Sequence, residues 1–458
     1  MITVLEAQKI IEHHSAPLGE ESVALALAHG RILREPVASK DDIPGFDRSA
    51  MDGYAVRADD GAEEFEVVGE IRAGQTEDRQ LKPGQAIRIF TGARLPGDGL
   101  KVVMQEHVEA REGRIRITKR TSNSNVRKRG EDAHAGEVLL EPGKRLDATA
   151  VALLASVGKT SIRVSRQPRI LHLTTGDEIV PPEQTPESGQ IRNSNASLIA
   201  GLCREQGVES ITHVHAGDDW EKLLSVLTKA EPENYDMILI SGGSGGGDYD
   251  FSAGLFKHLE ATIHFREVNV RPGKPLIFGT AKTIRHPELV EGSDSGGKAG
   301  QLELRQGHTD PLVSSLSQEQ SASGPSTSLR SAQDDGALGA QIIFGLPGNA
   351  LSHFVCFQLF VRPALDRMLA RSVASPVSGV LFEAMVDTQN ARETWWPARA
   401  GLKDGRLECR ALPWKSSGDI TRLPAANALI HVPASTSHFP AGTMVRLFLT
   451  QNNPFHVD

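Results

Sequence analysis

From Arg169 onward the chain alternates strand-like runs with helical runs of about 10–15 residues, the pattern of βαβ units. RILHLTT precedes NASLIAGLCREQG, SITHVHA precedes DDWEKLLSVLTKA, and DMILIS precedes a Gly-rich run and FSAGLFKHLE. IIFGLPGN followed by LSHFVCFQLFVRPALDRML repeats the unit once more. Such alternation predicts a doubly wound α/β domain, a parallel sheet covered by helices on both faces.

The flanking text differs. Val4, Leu5, Ile10 and Ile11 recur on one helical face, so the first dozen residues are expected to form an amphipathic helix. SVALALAHGRIL is expected to be a second apolar helix, running into Pro36 and the loop DDIPGFDRSAMDGYA. Between Phe65 and Leu140, the short alternating segments FEVVGEI, QAIRIFTGA, VVMQEHV and RIRIT are divided by Gly, Pro and Asp, as in a small β domain. ATAVALLASVG returns to helical text, and after Val377 short strands and turns predict a terminal β domain. A chain of 458 residues is long for one core, and length alone suggests about three domains.

Composition narrows the function. With 50 basic and 58 acidic residues the formal charge is −8, which disfavours a bulk electrostatic grip on nucleic acid or anionic membrane. No apolar run reaches the ~18–20 residues of a membrane span. The first residues carry no basic, cleavable leader, so a cytoplasmic location is expected. Cys203, Cys356 and Cys409 are widely spaced in apolar text and fit buried reduced thiols better than disulfides or a zinc site. The 16 His show no metal-ligand spacing, and His13 and His14 are expected to be solvated. Trp395 and Trp396 are expected to fill a small β core or subunit contact rather than stack on a ligand.

Four loops border the predicted strands, where ligands bind sheets of this kind. They are TTGDE at 174–178, SGGSGGGDYD at 241–250, RPGKP at 271–275 and LPGNALS at 346–352. Without Cβ atoms the Gly-rich loop can turn several N–H groups toward one anion, reinforced by the following helix N-terminus. It lacks the Lys-Ser/Thr of a Walker loop and the acidic partner of a dinucleotide site. Arg271 and Lys274 bracket a Pro-Gly turn and are expected to clamp an oxyanion; solvated surface cations are the alternative. Glu178, Asp218, Asp248 and Asp250 bring carboxylates to the same edge, either for a hard cation such as Mg²⁺ or as helix caps.

In this order the motifs resemble the molybdopterin molybdenumtransferase family. The resemblance runs from ITVLEAQKII and DIPGFDRSAMDGYAV through TGARLPGDG, RKRGEDAHAGEVLL, TGDE and GQIRNSN. It continues through SGGSGGGDYDF, RPGKPLIFG, FGLPGN and SSGDI…AANAL, leaving out 281–340. It implies a multi-domain α/β protein in four parts. An elongated discontinuous domain spans 1–45 and 135–165, with a β domain inserted at 46–134. A molybdopterin-binding α/β domain follows at 166–372, and a C-terminal β barrel at 373–458. It also implies a homodimer, with each active site between one subunit's α/β domain and the partner's inserted domain.

Asp52, Thr91 and Asp132 match family positions on that second surface. Glu178, Asp218, Asp248, Asp250 and Lys274 match positions in the α/β domain, with Asp248 and Glu178 as the Mg²⁺ ligands. Gly242, Gly243, Gly247, Asn193, Ser194, Arg271, Pro275 and Asn349 fall on substrate-binding motifs, while Ser352, Arg392 and Ser417 match residues associated with molybdate. Three departures stand out. Ser244, Gly245 and Gly246 replace the usual apolar–Ser–apolar triplet, Arg271 stands for Lys, and Ala350 stands for Pro.

The activity this resemblance implies is insertion of molybdate into adenylylated molybdopterin, with release of AMP. The adenylyltransferase that makes this substrate and the enzymes that receive the cofactor would be protein partners. Adenylyl transfer itself and a non-catalytic scaffold are the alternative functions.

Residues 281–340 contain no Phe, Trp or Tyr but ten Ser and eight Gly. They interrupt two otherwise neighbouring strands, PLIFGT and QIIFGLPG. A stretch so poor in apolar residues does not offset its ordering entropy and is expected to be a disordered surface insertion; a partner-binding loop is the alternative. Loop-closure entropy changes by only ~0.6 kcal/mol per doubling of length. Replacing residues 284–335 with a Gly-Ser turn is therefore expected to leave folding and molybdenum insertion intact. The melting temperature should be unchanged or slightly higher. A folded deletion variant without molybdate-dependent turnover would make the segment a functional lid.

Overall fold

The computed structural model describes residues 1–242, 251–282, 340–387 and 391–450. Most of the expected insertion and the greater part of the Gly-rich loop, with Gly243, Gly247, Asp248 and Asp250, lie outside the described residues.

Helix α1 (Val4–His14) starts with a capping box, in which the Thr3 hydroxyl accepts from the Glu6 N–H and the Glu6 carboxylate accepts from the Thr3 N–H. Its Val4, Ala7 and Ile11 are buried one helical turn apart. The helix expected at SVALALAHGRIL is absent. Glu20–Ala24 is a strand, followed by a single 3-10 turn at Leu25–Leu27. The strand pairs antiparallel with Ser161–Ser165 over five residues. A core of Leu33, Val37, Leu146, Leu154 and Val164 closes under it, while Leu27 stays 69% exposed. Pairing with a distant segment has overridden local helical preference. ATAVALLASVG behaves as expected: α2 (Ala148–Ser156) is capped by Asp147, which accepts from Ala150 N–H.

The inserted region forms a six-stranded sheet, with strands in the spatial order Leu100–Met104, Gly53–Arg57, Gln85–Ile89, Glu64–Ile71, Arg114–Ile117 and Val108–Arg111. Gly53 is forced by close approach, since a Cβ there would sit 2.1 Å from the Val103 carbonyl oxygen.

The α/β domain comprises β1 (Ile170–Thr175), α3 (Ser194–Glu205), β2 (Ile211–Ala216), α4 (Trp220–Lys229), β3 (Met237–Ser241) and α5 (Phe251–His258). There follow β4 (Thr262–Phe265), β5 (Val270–Arg271), β6 (Ile277–Ala281), β7 (Gln341–Leu346), α6 (Ala350–Cys356) and α7 (Arg362–Met368), with a π-helical turn at Phe357–Val361 joining the last two. The sheet order is β2-β1-β3-β7-β6-β4. Alternate residues face opposite cores. Met237 and Leu239 pack with α1, α3, α6 and α7, while Ile238 and Ile240 pack with α4 and α5.

The sheet is not wholly parallel, which corrects the expectation. β6 runs antiparallel to β7, and β4 antiparallel to β6. Antiparallel neighbours need no crossover helix, unlike the parallel pairs of the same sheet. The reversal has a positional result. The N-terminal end of β6 lies level with the C-terminal ends of the parallel strands, Ile277 opposite Gly345 and Leu346 opposite Ser241.

The C-terminal region closes on itself. β8 (Val377–Leu381), β9 (Glu393–Lys403), β10 (Arg406–Ala411), β11 (Ala428–Val432) and β12 (Met444–Leu449) form a ring that the β9–β11 pairing completes. The short β5 of the α/β domain adds to the end of β9. Cys203, Cys356 and Cys409 are buried and free, and burial pushes the Cys203 and Cys409 thiols up to about 12. No helix among the described residues is long and apolar enough to cross a membrane.

Gly53→Ala is expected to lower the unfolding free energy by about 1–3 kcal/mol, the range for forcing an extra methyl into packed structure. Urea denaturation checks this; an unchanged midpoint would mean that the two strands separate without cost.

Candidate active site

A cleft of about 820 Å³ opens where the level strand ends meet the barrel. Thr175, Gly176 and Glu178 follow β1, Asp218 follows β2, and Gly242 follows β3. Residues 271–275 enter from the start of β6; residues 347–349 and Ser352 follow β7. The barrel supplies Val386, Asp387, Arg392, Trp396 and residues 414–417. Gly242 has φ +101°, and a Cβ there would lie 2.8 Å from Thr175 Oγ1. Only glycine lets these two loops touch.

Sheet order arranges the charge. Asp218 and Glu178 sit at the ends of β2 and β1, on one flank. Arg271 and Lys274 enter beside β6, toward the other flank, where Arg392 and Lys415 of the barrel join them in the lining. Among the described residues neither Glu178 nor Asp218 has a cationic partner. Two carboxylates facing a polar cleft suit a hard cation that completes its shell with water and substrate phosphate. The described residues hold no group of three metal-ligating side chains.

Arg271 does not stand open to an oxyanion as expected. Its guanidinium is ion-paired with Asp387, donates to Thr394 Oγ1 at 3.1 Å and lies 5.6 Å over the Trp414 ring. β5 carries it onto the barrel, and a planar donor fork finds a buried carboxylate there. Lys274 lines the cleft but pairs with Glu267 at 3.1 Å. Arg392 donates to the Val270 carbonyl at 3.3 Å.

Ser417 stitches the barrel to α6. Its carbonyl accepts from Leu351 N at 3.1 Å and Ser352 N at 3.3 Å, and its hydroxyl accepts from Asn349 Nδ2 at 2.8 Å. Gly242, Pro275, Asn349, Ser352 and Ser417 thus gather with Glu178, Asp218, Arg271, Lys274 and Arg392 in one cleft. Asn193 does not join them. It is buried as the cap of α3, accepting from Ala196 N–H and donating to Thr174 Oγ1 at 3.1 Å. Ser194 is exposed at the first turn of that helix.

Asp52, Thr91 and Asp132 lie on the inserted domain and do not line this cleft. Asp52 Oδ1 accepts from the Thr91 N–H at 2.7 Å and its hydroxyl at 2.8 Å, which holds the Asp52 carboxyl below its usual range. Asp132 is ion-paired with Arg127.

Trp395 is buried in the core as expected, but Trp396 lines the cleft, edge-on to Trp414 at 5.6 Å. His14 is half-buried: it stacks 3.8 Å from His264, and burial lowers its pKa; His13 is exposed as expected. Below the cleft, Ser241 Oγ lies between His172 Nε2 at 2.6 Å and His353 Nε2 at 3.2 Å. All three are buried, and burial lowers His353 to about 4 and His172 well below its ordinary value. Sequence reasoning missed Asp387, Trp414, Lys415, His172 and His353. Only Lys415 carried a signal, its position beside the SSGDI motif.

An open α/β sheet with a polar, charge-divided cleft at its strand ends defines a protein that binds a phosphorylated or oxyanionic small molecule. Comparison with known proteins narrows the class. Residues 2–158 match the MoeA N-terminal region (domain I and II), 172–367 a probable molybdopterin-binding domain, and 384–449 the MoeA C-terminal region (domain IV). The molybdopterin molybdenumtransferase of a Nostoc species is 33% identical over 433 residues, covering 92% of this chain and 87% of that one. That of Staphylococcus epidermidis is 29% identical over 464 residues, covering 99% and 97%. The crystal structure of a molybdopterin biosynthesis MoeA protein from Pyrococcus horikoshii superposes with a TM-score of 0.71 at 27% identity, covering 99% of this chain and all of that one. The chain belongs to the molybdopterin molybdenumtransferase (MoeA) family.

Arg271→Ala would leave the Asp387 carboxylate buried without its guanidinium. The expected loss is about 3–5 kcal/mol of stability, with a smaller loss in the Arg271→Ala/Asp387→Ala double variant. Chemical denaturation of the four-member cycle checks this, and additive losses would mean that the two side chains are not coupled.

Proposed function

We propose that the chain is a molybdopterin molybdenumtransferase. It takes adenylylated molybdopterin and molybdate, breaks the phosphoanhydride, and leaves molybdenum on the pterin dithiolene with AMP released. The observation that carries this reading is a cleft at one sheet edge lined by Glu178 and Asp218 on one flank and by Lys274, Arg392 and Lys415 on the other, in a chain of this family. Pro275, Ser352, Arg392 and Ser417 would receive molybdate near the barrel, with Lys274 and Lys415 supplying positive potential. The N–H groups of Gly242 and the following glycines would take the phosphates. Glu178, with Asp248 from the Gly-rich loop, would hold Mg²⁺, which supplies charge neutralisation at the phosphoanhydride when bound. Catalysis then rests on positioning and preorganised charge rather than on a protein nucleophile. Ser241 is unsuited to that role, being 2% exposed between two imidazoles.

Asp52 and Thr91 lie outside the cleft of their own chain, and this supports a homodimer in which they complete the partner's site. Asp132, on the same domain, would act with them. A biosynthetic role fits a cytoplasmic protein that receives its substrate from an adenylyltransferase and passes the product to molybdoenzymes.

Incubation with adenylylated molybdopterin, Mg²⁺ and molybdate tests the reading; AMP release with cofactor formation is expected. ATP consumption on bare molybdopterin would make the chain an adenylyltransferase, and neither reaction would make it a scaffold. The shared site has its own test. Mixing inactive Asp52→Ala and Glu178→Ala subunits should restore activity, because one cleft of each heterodimer then receives neither defect. No recovery after demonstrated subunit exchange would place both residues in service of one chain's cleft.

A further inference from the structure

The buried polar side chains beneath the cleft form a hydrogen-bond chain whose direction follows from donor chemistry. The Pro347 carbonyl can only accept, so His353 Nδ1, 2.9 Å away, carries a hydrogen. In a neutral ring its Nε2 is then an acceptor and takes the Ser241 hydroxyl hydrogen at 3.2 Å. Ser241 Oγ accepts in turn from His172 Nε2 at 2.6 Å. His172 Nδ1 is left bare, and it is a buried atom with no partner, the one end at which such a chain can stop.

Two loops of the cleft hang on this chain. Ser241 ends β3 and is followed by Gly242; Pro347 opens the turn after β7. The two loops meet, since a Cβ on Gly348 would lie 3.9 Å from Gly242 Cα. Asn195 Nδ2 adds a second hold on that turn, donating to the Gly348 carbonyl at 2.7 Å. Ser252 Oγ holds the other loop, donating to the Gly242 carbonyl at 3.1 Å.

We propose that His172, Ser241 and His353 are positioning residues for anion binding, their hydrogen-bond chain fixing residues 347–349 against Gly242 and so setting the affinity of the cleft for a phosphate-bearing ligand. The inference rests on the reading of the cleft as a phosphate and oxyanion site. The titratable neighbours of the chain are His213, 5.3 Å from His172, and beyond it His215, which shares the Thr174 hydroxyl with His213. No described carboxylate bonds to His172, His213 or His353, and burial lowers all three, so the chain operates with neutral rings.

Titration calorimetry with AMP on the full-length chain tests the proposal. His353→Phe keeps a flat ring and removes both hydrogen bonds. It is expected to weaken AMP binding about tenfold, the equivalent of one hydrogen bond. His353→Gln, whose amide can donate to Pro347 and accept from Ser241, should return affinity to within about threefold of wild type. With adenylylated molybdopterin, His353→Phe should raise KM while kcat stays within about twofold. A purely structural role would lower Tm and the active fraction while Kd and KM per folded molecule stay at wild-type values, and that result overturns the proposal. Ser241→Ala, which removes one hydroxyl, carries the same test if His353→Phe does not fold. A wild-type chain that binds AMP but makes no cofactor would refute the proposed function while these variants still decide the inference. A wild-type chain that binds no AMP would refute both.

Discussion

The ion pair between Arg271 and Asp387 joins the strand-end loops to the barrel, and the cleft exists because that joint is dry. The two side chains are 12% and 2% exposed. In such a setting each charge offsets the desolvation of the other, and separating the domains would break the pair. The pairing of β5 with β9 holds the backbones of the same two regions together. Ser417 adds a third tie through its hydrogen bonds to Asn349, Leu351 and Ser352. The barrel is thereby one wall of the site, held close enough to present Arg392, Trp396 and Lys415 to the sheet edge.

The second constraint is topological. In a wholly parallel sheet, the segment before β6 would emerge at the opposite edge from the loops after β1, β2 and β3. Reversing β6 brings the RPGKP turn to the ligand edge. Sheet order also sets Glu178 and Asp218, at the ends of β1 and β2, apart from the Arg271–Lys274 turn beside β6.

Much of this was legible in the residues. The unbroken apolar run of DMILIS and the period of nearly four in NASLIAGLCREQG report burial on both faces of a strand and on one face of a helix, and both elements formed where expected. Loop motifs were legible because their glycines answer to backbone geometry, as Gly53 and Gly242 do. SVALALAHGRIL was misread because its apolar spacing satisfies a helix locally, while its actual partner, Ser161–Ser165, lies more than a hundred residues away. The resemblance placed Asn193 in the site, yet its side chain turned inward to cap α3.

By itself, the sequence determined the alternation of elements, the glycine-bearing loops at the strand ends and the supply of charged residues near them, since all of these are local properties of a few neighbouring positions. Only the tertiary structure decided what each charge does. Arg271 and Lys274 sit three positions apart in one motif, yet the first is neutralised by Asp387 from the barrel and the second pairs with Glu267 at the rim. His172, Ser241 and His353 come from three separate elements, and nothing in the sequence pairs them. They become one hydrogen-bond chain because folding removes water from around them, and a buried polar group must then find its partner among whatever side chains the packing has brought within reach.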